Sequence, residues 1–188
     1  MKWYIPLAFG LLAAACSSQP QDHVHDTPDL KTVGDSIAML AQGTLLKNVT
    51  HAMQEGGPVH AIAFCNTEAG FLTDSVGAAA GYVIQRITDK PRNPGNQLSE
   101  EEKALFDKIK TDIAQGTAQP HYLLEDGAVF YKPIVLGMPT CLKCHGSPGV
   151  DVEPATLSKL AELYPEDRAT GYSLGELRGL WKITAPAN

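Results

Sequence analysis

The sequence HYLLEDGAVFYKPIVLGMPTCLKCH, residues 121–145, combines a predicted β-hairpin with a compact cysteine–histidine motif. Residues 121–124 and 128–136 are rich in strand-forming side chains, and they flank the turn signal Glu125-Asp126-Gly127. Residues 82–88 and 179–184 are further β-rich runs. The late run can join the hairpin, so we predict one antiparallel sheet in this part of the chain.

Helical patterns precede and separate these strands. Residues 29–54 predict a long helix that Gly56, Gly57 and Pro58 end. Its apolar stripe consists of Leu30, Val33, Ile37, Leu40, Leu45 and Val49. A second helix is predicted over residues 59–72, and a third begins at the capping box formed by Ser99 and Glu102. The predicted buried face of the third helix is Ala104, Leu105, Ile109 and Ile113. This order of elements predicts an α+β domain.

Cys141, Cys144 and His145 have the spacing of a covalent haem-attachment motif. The two-residue gap lets both thiols bond neighbouring porphyrin vinyl groups, and the adjacent histidine can ligate the iron. A redox-active dithiol needs no histidine there. A zinc site needs two further ligands at similar spacing, and the sequence has no second pair of cysteines. We therefore predict one covalently bound haem c.

The amino terminus predicts export and lipid anchoring. Lys2 precedes an apolar run at residues 3–12, and three alanines lead to Cys16. This junction resembles the lipobox of bacterial lipoproteins, although Ala13 stands where leucine is more usual. An ordinary signal peptide followed by a cysteine is the alternative. We predict a signal peptide at residues 1–15, lipid on Cys16 and a periplasmic location. Ser17, in place of aspartate, resembles the signal that sorts lipoproteins to the outer membrane.

The remaining chain predicts one domain on a tether. Residues 16–28 are polar and lack apolar periodicity, so they predict a flexible tether in which His23 and His25 are solvated. Residues 29–188 then form the domain. The net charge of −6 becomes −7 when Lys2 is removed, which argues against nucleic acid as a partner.

Cys65 is left over when Cys16, Cys141 and Cys144 have been assigned. It lies on the apolar face of the second predicted helix, between Ala61 and Ala69. A thiolate there can serve as an iron ligand opposite His145, whereas an inert buried cysteine fits the same pattern. The residue pattern leaves both interpretations open.

The whole predicted domain resembles the PAS-like c-type haem domains of bacterial periplasmic and sensor proteins. The resemblance is carried by residues 61–66, 86–96, 131–134 before the haem motif, and 164–179 after it. It implies a PAS-like antiparallel sheet with long amino-terminal helices packed against it. It also implies that His145 and Cys65 hold the haem iron, as the motif histidine and a helical cysteine do in the family.

Arginines near residue 90 are candidates for binding the anionic propionates of a haem. Arg86 and Arg92 are predicted to contact them, with Lys132 and Arg178 as weaker candidates and a surface ion pair as the alternative role. Other residues compatible with iron ligation are Met53, Met138, His51, His60 and His121.

Two functions follow from these predictions. The first is a lipid-anchored monohaem cytochrome for one-electron transfer or redox poise, with Cys65 and His145 filling both axial positions, so that no enzyme activity is expected. The alternative is a redox or diatomic-gas sensor in which reduction displaces Cys65 and a periplasmic partner relays the signal. The partner in either case is a periplasmic redox or signalling protein.

Overall fold

The computed structural model describes residues 1, 29–124 and 127–186. The predicted lipidation site Cys16, the tether and nearly all of the signal peptide lie outside the described residues, as do Glu125 and Asp126 of the hairpin turn. The helices are α1 (Leu30–Ala80), α2 (Glu100–Gln115), α3 (Pro139–His145) and α4 (Pro154–Leu163). The strands are β1 (Val83–Ile87), β2 (Tyr122–Leu124), β3 (Val129–Val135) and β4 (Leu177–Thr184).

The four strands form one antiparallel sheet in the order β1-β4-β3-β2. β2 and β3 pair as the predicted hairpin, with Tyr122 opposite Tyr131. The predicted late strand is β4, which lies between β1 and β3, with Trp181 opposite both Arg86 and Lys132. The α+β class and the antiparallel sheet predicted from the sequence are confirmed.

Helix α1 consists of two helical halves separated by a backbone break. Gly56 (φ −155°, ψ 21°) and Gly57 (φ 67°, ψ −163°) leave the helical region, and Pro58 begins the second half. The positive φ of Gly57 explains why glycine is used here, since other residues rarely adopt it. The second half continues to Ala80 and is capped by Gly81, so it is longer than the predicted helix over residues 59–72.

The sheet is covered on both faces, because alternate side chains of a strand point to opposite sides. On one face, the first half of α1 packs against Phe130, Trp181 and Ile183. On the other face, Phe106 and Ile109 of α2 pack against a second buried set: Ile87, Leu98, Val129, Tyr131, Leu177 and Leu180. The helices therefore lie against the sheet as expected.

Two predicted burial patterns are partly wrong. Leu40 was placed on the buried stripe of α1 but is 58% exposed, and the small residues Ala38 and Ala41 occupy the sheet-facing positions instead. In α2, Ala104 is exposed, whereas Phe106 is fully buried. The capping box of α2 is confirmed, with Ser99 and Glu102 bonding to each other's backbone.

A third apolar cluster joins the second half of α1 to α4. Ile62 packs against Val152 and Leu160, and Cys144 and Tyr164 lie at the edge of this cluster. The cluster brings the helix that carries Cys65 next to the cysteine–histidine motif. Among the described residues, no helix is both long and apolar enough to cross a bilayer.

Candidate haem site

Helix α3 presents the two motif thiols on adjacent turns. Pro139 is at its amino end, where a missing N–H is tolerated, and Cys141 donates its backbone N–H to Met138 O at 2.9 Å. Cys141 and Cys144 are three residues apart, so they lie on the same side of the helix. Both thiols are free and half-buried. Burial, together with the influence of Cys65 and Cys141, raises the pKa of Cys144 to about 11, although Arg92 opposes the change.

A tight loop ends α3 immediately after His145. The Gly146 N–H bonds to Leu142 O at 2.8 Å, and Asp151 packs so closely that a Cβ added at Gly146 would lie 2.5 Å from the Asp151 Cβ. Asp151 Oδ2 also accepts the Ser147 N–H at 2.9 Å. The loop therefore needs glycine at position 146 for space, and it fixes the direction of the helix end.

The segment after α4 binds the end of α3 through backbone hydrogen bonds. The Tyr172 N–H donates to His145 O at 3.0 Å, and the Gly171 N–H donates to Gly146 O at 2.8 Å. The Tyr172 ring also meets the His145 ring edge-on, with centroids 6.4 Å apart. These contacts hold the histidine from its backbone and from one side of its ring.

The His145 imidazole has a defined tautomer. Its Nδ1 lies 2.8 Å from Ala169 O, and a carbonyl oxygen can only accept, so Nδ1 carries the proton. Nε2 then keeps its lone pair, as a metal-ligating histidine requires. Arg178 Nε lies 3.3 Å from Nδ1 but cannot donate to a nitrogen that is already protonated. Burial, with the charges of Arg178 and Arg92, lowers the pKa of His145 well below its usual value, which favours the neutral form.

Cys65 lies in the second half of α1, close to the motif. Burial raises the pKa of its thiol, and the positive charges of Arg86 and Arg92 partly oppose this effect. The same thiol influences the pKa of Cys144, which places the two sulfur groups within electrostatic reach of each other. Ala61 and Ala69, one turn before and after it, are buried. The structure thus brings Cys65, Cys144 and the surroundings of His145 into one region.

Arginines surround this region with little compensating negative charge. Arg86 lies over the Trp181 ring at 5.9 Å, and neither it nor Arg178 has a carboxylate within 4 Å among the described residues. Burial lowers the pKa of both guanidinium groups. Half-buried cations without a neighbouring carboxylate favour an anionic ligand. Two thiols, a neutral imidazole, a further thiol and these arginines fit the donor set that a haem with two propionates requires.

Arg92 differs from Arg86 and Arg178 because a carboxylate already pairs with it. Its Nε lies 3.2 Å from Asp167 Oδ1, and its Nη2 donates to Cys144 O at 2.6 Å. The predicted propionate contact of Arg92 stays a prediction, as does that of Arg86. The sequence predicts no role for Asp167 or for the Ala169 carbonyl, because a backbone acceptor has no residue-type signal.

The rival histidine ligands contact other groups. His51 and His60 both contact Glu55 Oε2, at 3.3 and 3.5 Å, and are largely exposed at the break in α1. His121 stacks on Phe130 at 4.9 Å, within the sheet-facing cluster of the first half of α1. Met138 is 40% exposed just before α3. No group of three or more His, Cys, Asp or Glu side chains suited to a metal ion occurs in the described part of the chain.

The chain matches a known protein family over most of its length. The profile of the Tll0287-like family matches residues 20–186. The chain belongs to the Tll0287-like family. This membership agrees with the family resemblance found in the sequence. A comparison with curated proteins finds no match.

One solved structure that the chain resembles is the crystal structure of the cyanobacterial haem protein Tll0287. The two chains are 21% identical with a TM-score of 0.58, and the alignment covers 85% of this chain and 93% of that chain. At this identity the likeness concerns the fold. It agrees with the α+β architecture described above.

Proposed function

We propose that the protein is a monohaem c-type cytochrome whose haem is attached to Cys141 and Cys144 and whose iron is held by His145 and Cys65. The observation that carries the proposal is the state of His145: Nδ1 is committed to Ala169 O at 2.8 Å, which leaves Nε2 available beside two free thiols. Membership of the Tll0287-like family and the fold shared with a haem protein support this assignment.

The proposed role is one-electron transfer or redox poise in the periplasm. A bound haem supplies the one-electron chemistry. Cys65, as an anionic sulfur ligand, would favour the oxidised state and lower the reduction potential, and Arg86 would moderate this effect as the nearby positive charge. His145 and Cys65 together would leave the iron no open position for a substrate, so the proposed role is not enzymatic. Lipid on Cys16 and a periplasmic redox partner complete the proposal, and the net charge of −6 favours a basic surface on that partner.

The attachment is tested by mass measurement and pyridine haemochrome spectra of the full chain matured with the haem-attachment machinery. We expect one added haem mass and the spectrum of two thioether bonds. Cys141→Ser with Cys144→Ser is expected to give protein without covalent haem, and Lys143→Gln, between the two cysteines, is the control that keeps it. Wild-type protein that carries no covalent haem would refute the proposal.

A second candidate function is sensing, in which Cys65 leaves the iron on reduction. It is favoured by the Gly56–Gly57 break, because the segment around Cys65 packs near α4 and is separated there from the first half of α1, which packs on the sheet. A shift of the second half could then reach a periplasmic partner while the first half keeps its place. Gas binding to reduced protein distinguishes this candidate from the electron carrier.

A further inference from the structure

Arg92 connects three separate segments around His145. Its Nε lies 3.2 Å from both carboxylate oxygens of Asp167. Its Nη2 donates to Cys144 O at 2.6 Å and lies 3.4 Å from Ala169 O. One side chain from the turn after β1 therefore contacts the residue before His145 and the carbonyl that receives the His145 proton.

Asp167 extends the same network to the backbone of Ala169. Its Oδ1 accepts the Ala169 N–H at 2.8 Å in addition to its contact with Arg92. The peptide groups on both sides of Ala169 are thus oriented, one through its N–H and the other through its carbonyl. The carbonyl then accepts Nδ1–H of His145 at 2.8 Å.

The Arg92–Asp167 pair is largely shielded from water. The two side chains are only 12% and 10% exposed. A buried pair that is also hydrogen-bonded has few alternative arrangements, because each charge would be left uncompensated in any of them. The pair is consequently able to hold the Ala169 carbonyl in one direction.

We propose that Arg92 and Asp167 are the positioning residues of His145, fixing through Ala169 the tautomer and orientation of its imidazole. The inference rests on the proposed function of His145 as an iron ligand and adds two residues that act on the ligand through the protein. Mutation of groups that hold the second nitrogen of a metal-ligating histidine commonly lowers metal affinity or activity by about 10- to 100-fold.

The test compares Asp167→Asn and Arg92→Lys with wild-type holoprotein. Asparagine removes the negative charge at nearly constant shape. Lysine keeps the positive charge but lacks the planar guanidinium group, so it cannot contact the Cys144 and Ala169 carbonyls at once. The readouts are the exchange rate of the His145 Nδ1 proton by paramagnetic NMR and the g values of the ferric protein. We expect exchange to become roughly tenfold faster in both variants, with altered g values.

Two controls separate positioning from general stability. Glu162→Gln removes one member of the Lys159–Glu162 pair, whose glutamate is 60% exposed. Ile109→Val lowers the stability of the second core cluster without touching the site. Neither control should change the exchange rate or the g values. Exchange rates and g values that match wild type in both Asp167→Asn and Arg92→Lys would overturn the proposal, as would equal changes in Ile109→Val.

A further measurement keeps this inference apart from the proposed function. In the full chain prepared without haem, the ring nitrogen chemical shifts of His145 report its tautomer. We expect the Nδ1–H form in the wild type and a mixture in Asp167→Asn. An unchanged tautomer would contradict the positioning role, whereas absence of covalent haem from matured wild-type protein would contradict only the proposed function.

Discussion

Lys182 of β4 lies with its Nζ 2.7 Å from Glu102 Oε1 of α2, and this ion pair joins the helix to the sheet. Glu102 is 7% exposed at its side chain, and its Oε2 accepts the Ser99 N–H at 2.9 Å. Burial raises the pKa of Glu102, but the hydrogen bonds from Lys182 and Ser99 outweigh it, so the pKa lies below its usual value of 4.5.

Glu102→Gln is therefore expected to destabilise the fold by about 2 kcal/mol at neutral pH, because a charged hydrogen-bond acceptor is lost. The folded-state pKa is depressed, so this stabilisation is present above the unfolded pKa and is lost as the pH falls through the folded value. The difference from wild type should shrink below about pH 4.5. Denaturant unfolding at several pH values measures it. Glu100→Gln, exposed on the same helix, should stay within about 0.5 kcal/mol of wild type.

Gly34 provides a test of packing between α1 and the sheet. A Cβ added there would lie 2.4 Å from Phe130 Cδ2, and Phe130 is fully buried. Gly34→Ala should destabilise the protein by about 1–3 kcal/mol through overpacking. On the same helix, a Cβ at Gly43 meets nothing within 4 Å. Gly43→Ala should therefore stabilise by about 0.5–1 kcal/mol. Thermal melts of the two variants should move in opposite directions, and a stabilised Gly34→Ala would contradict the described contact.

Cys65→Ser tests the second iron ligand. Because oxygen is a poorer donor than sulfur, we expect the ferric absorption and electron paramagnetic resonance spectra to change and the reduction potential to rise. His121→Gln and His60→Gln are matched controls, since His121 stacks on Phe130 and His60 contacts Glu55. A changed spectrum in either control with an unchanged one in Cys65→Ser would assign the ligand elsewhere.

Carbon monoxide added to reduced holoprotein separates the two candidate functions. If Cys65 stays bound in both redox states, the Soret band should remain unchanged, as expected for an electron carrier. Displacement of Cys65 on reduction would open a coordination position and shift the band. Hydrogen exchange of residues 58–80 in the two redox states provides the independent measurement of helix movement.

The parts of the fold that short-range chemistry specifies were predictable from the sequence. The hairpin of β2 and β3 follows from its turn signal, and the start of α2 follows from Ser99 and Glu102. The exposure of Leu40 was not predictable in the same way. A helical stripe has a broad apolar face, and the close approach of α1 to Phe130 selects Gly34, Ala38 and Ala41 for the contact.

The candidate site likewise has a part that local sequence predicts and a part that depends on distant contacts. The spacing of Cys141, Cys144 and His145 is a local pattern that the sequence displays directly. The contact between Arg92 and Asp167 joins positions 75 residues apart, and the acceptor of the His145 proton is a backbone carbonyl. Neither has a local signature, because both depend on how the segment after α4 returns to the end of α3.

The break in α1 also divides that helix thermodynamically. Gly57, with φ 67°, interrupts the hydrogen-bond ladder, so opening of one half need not propagate into the other. The first half packs on the sheet-facing core, whereas the half bearing Cys65 packs on α4 through Ile62 and meets the sheet-facing core at its carboxyl end, through Val76 and Ala80. Local opening around the thiol can therefore occur while the first half of α1 keeps its packing on the sheet.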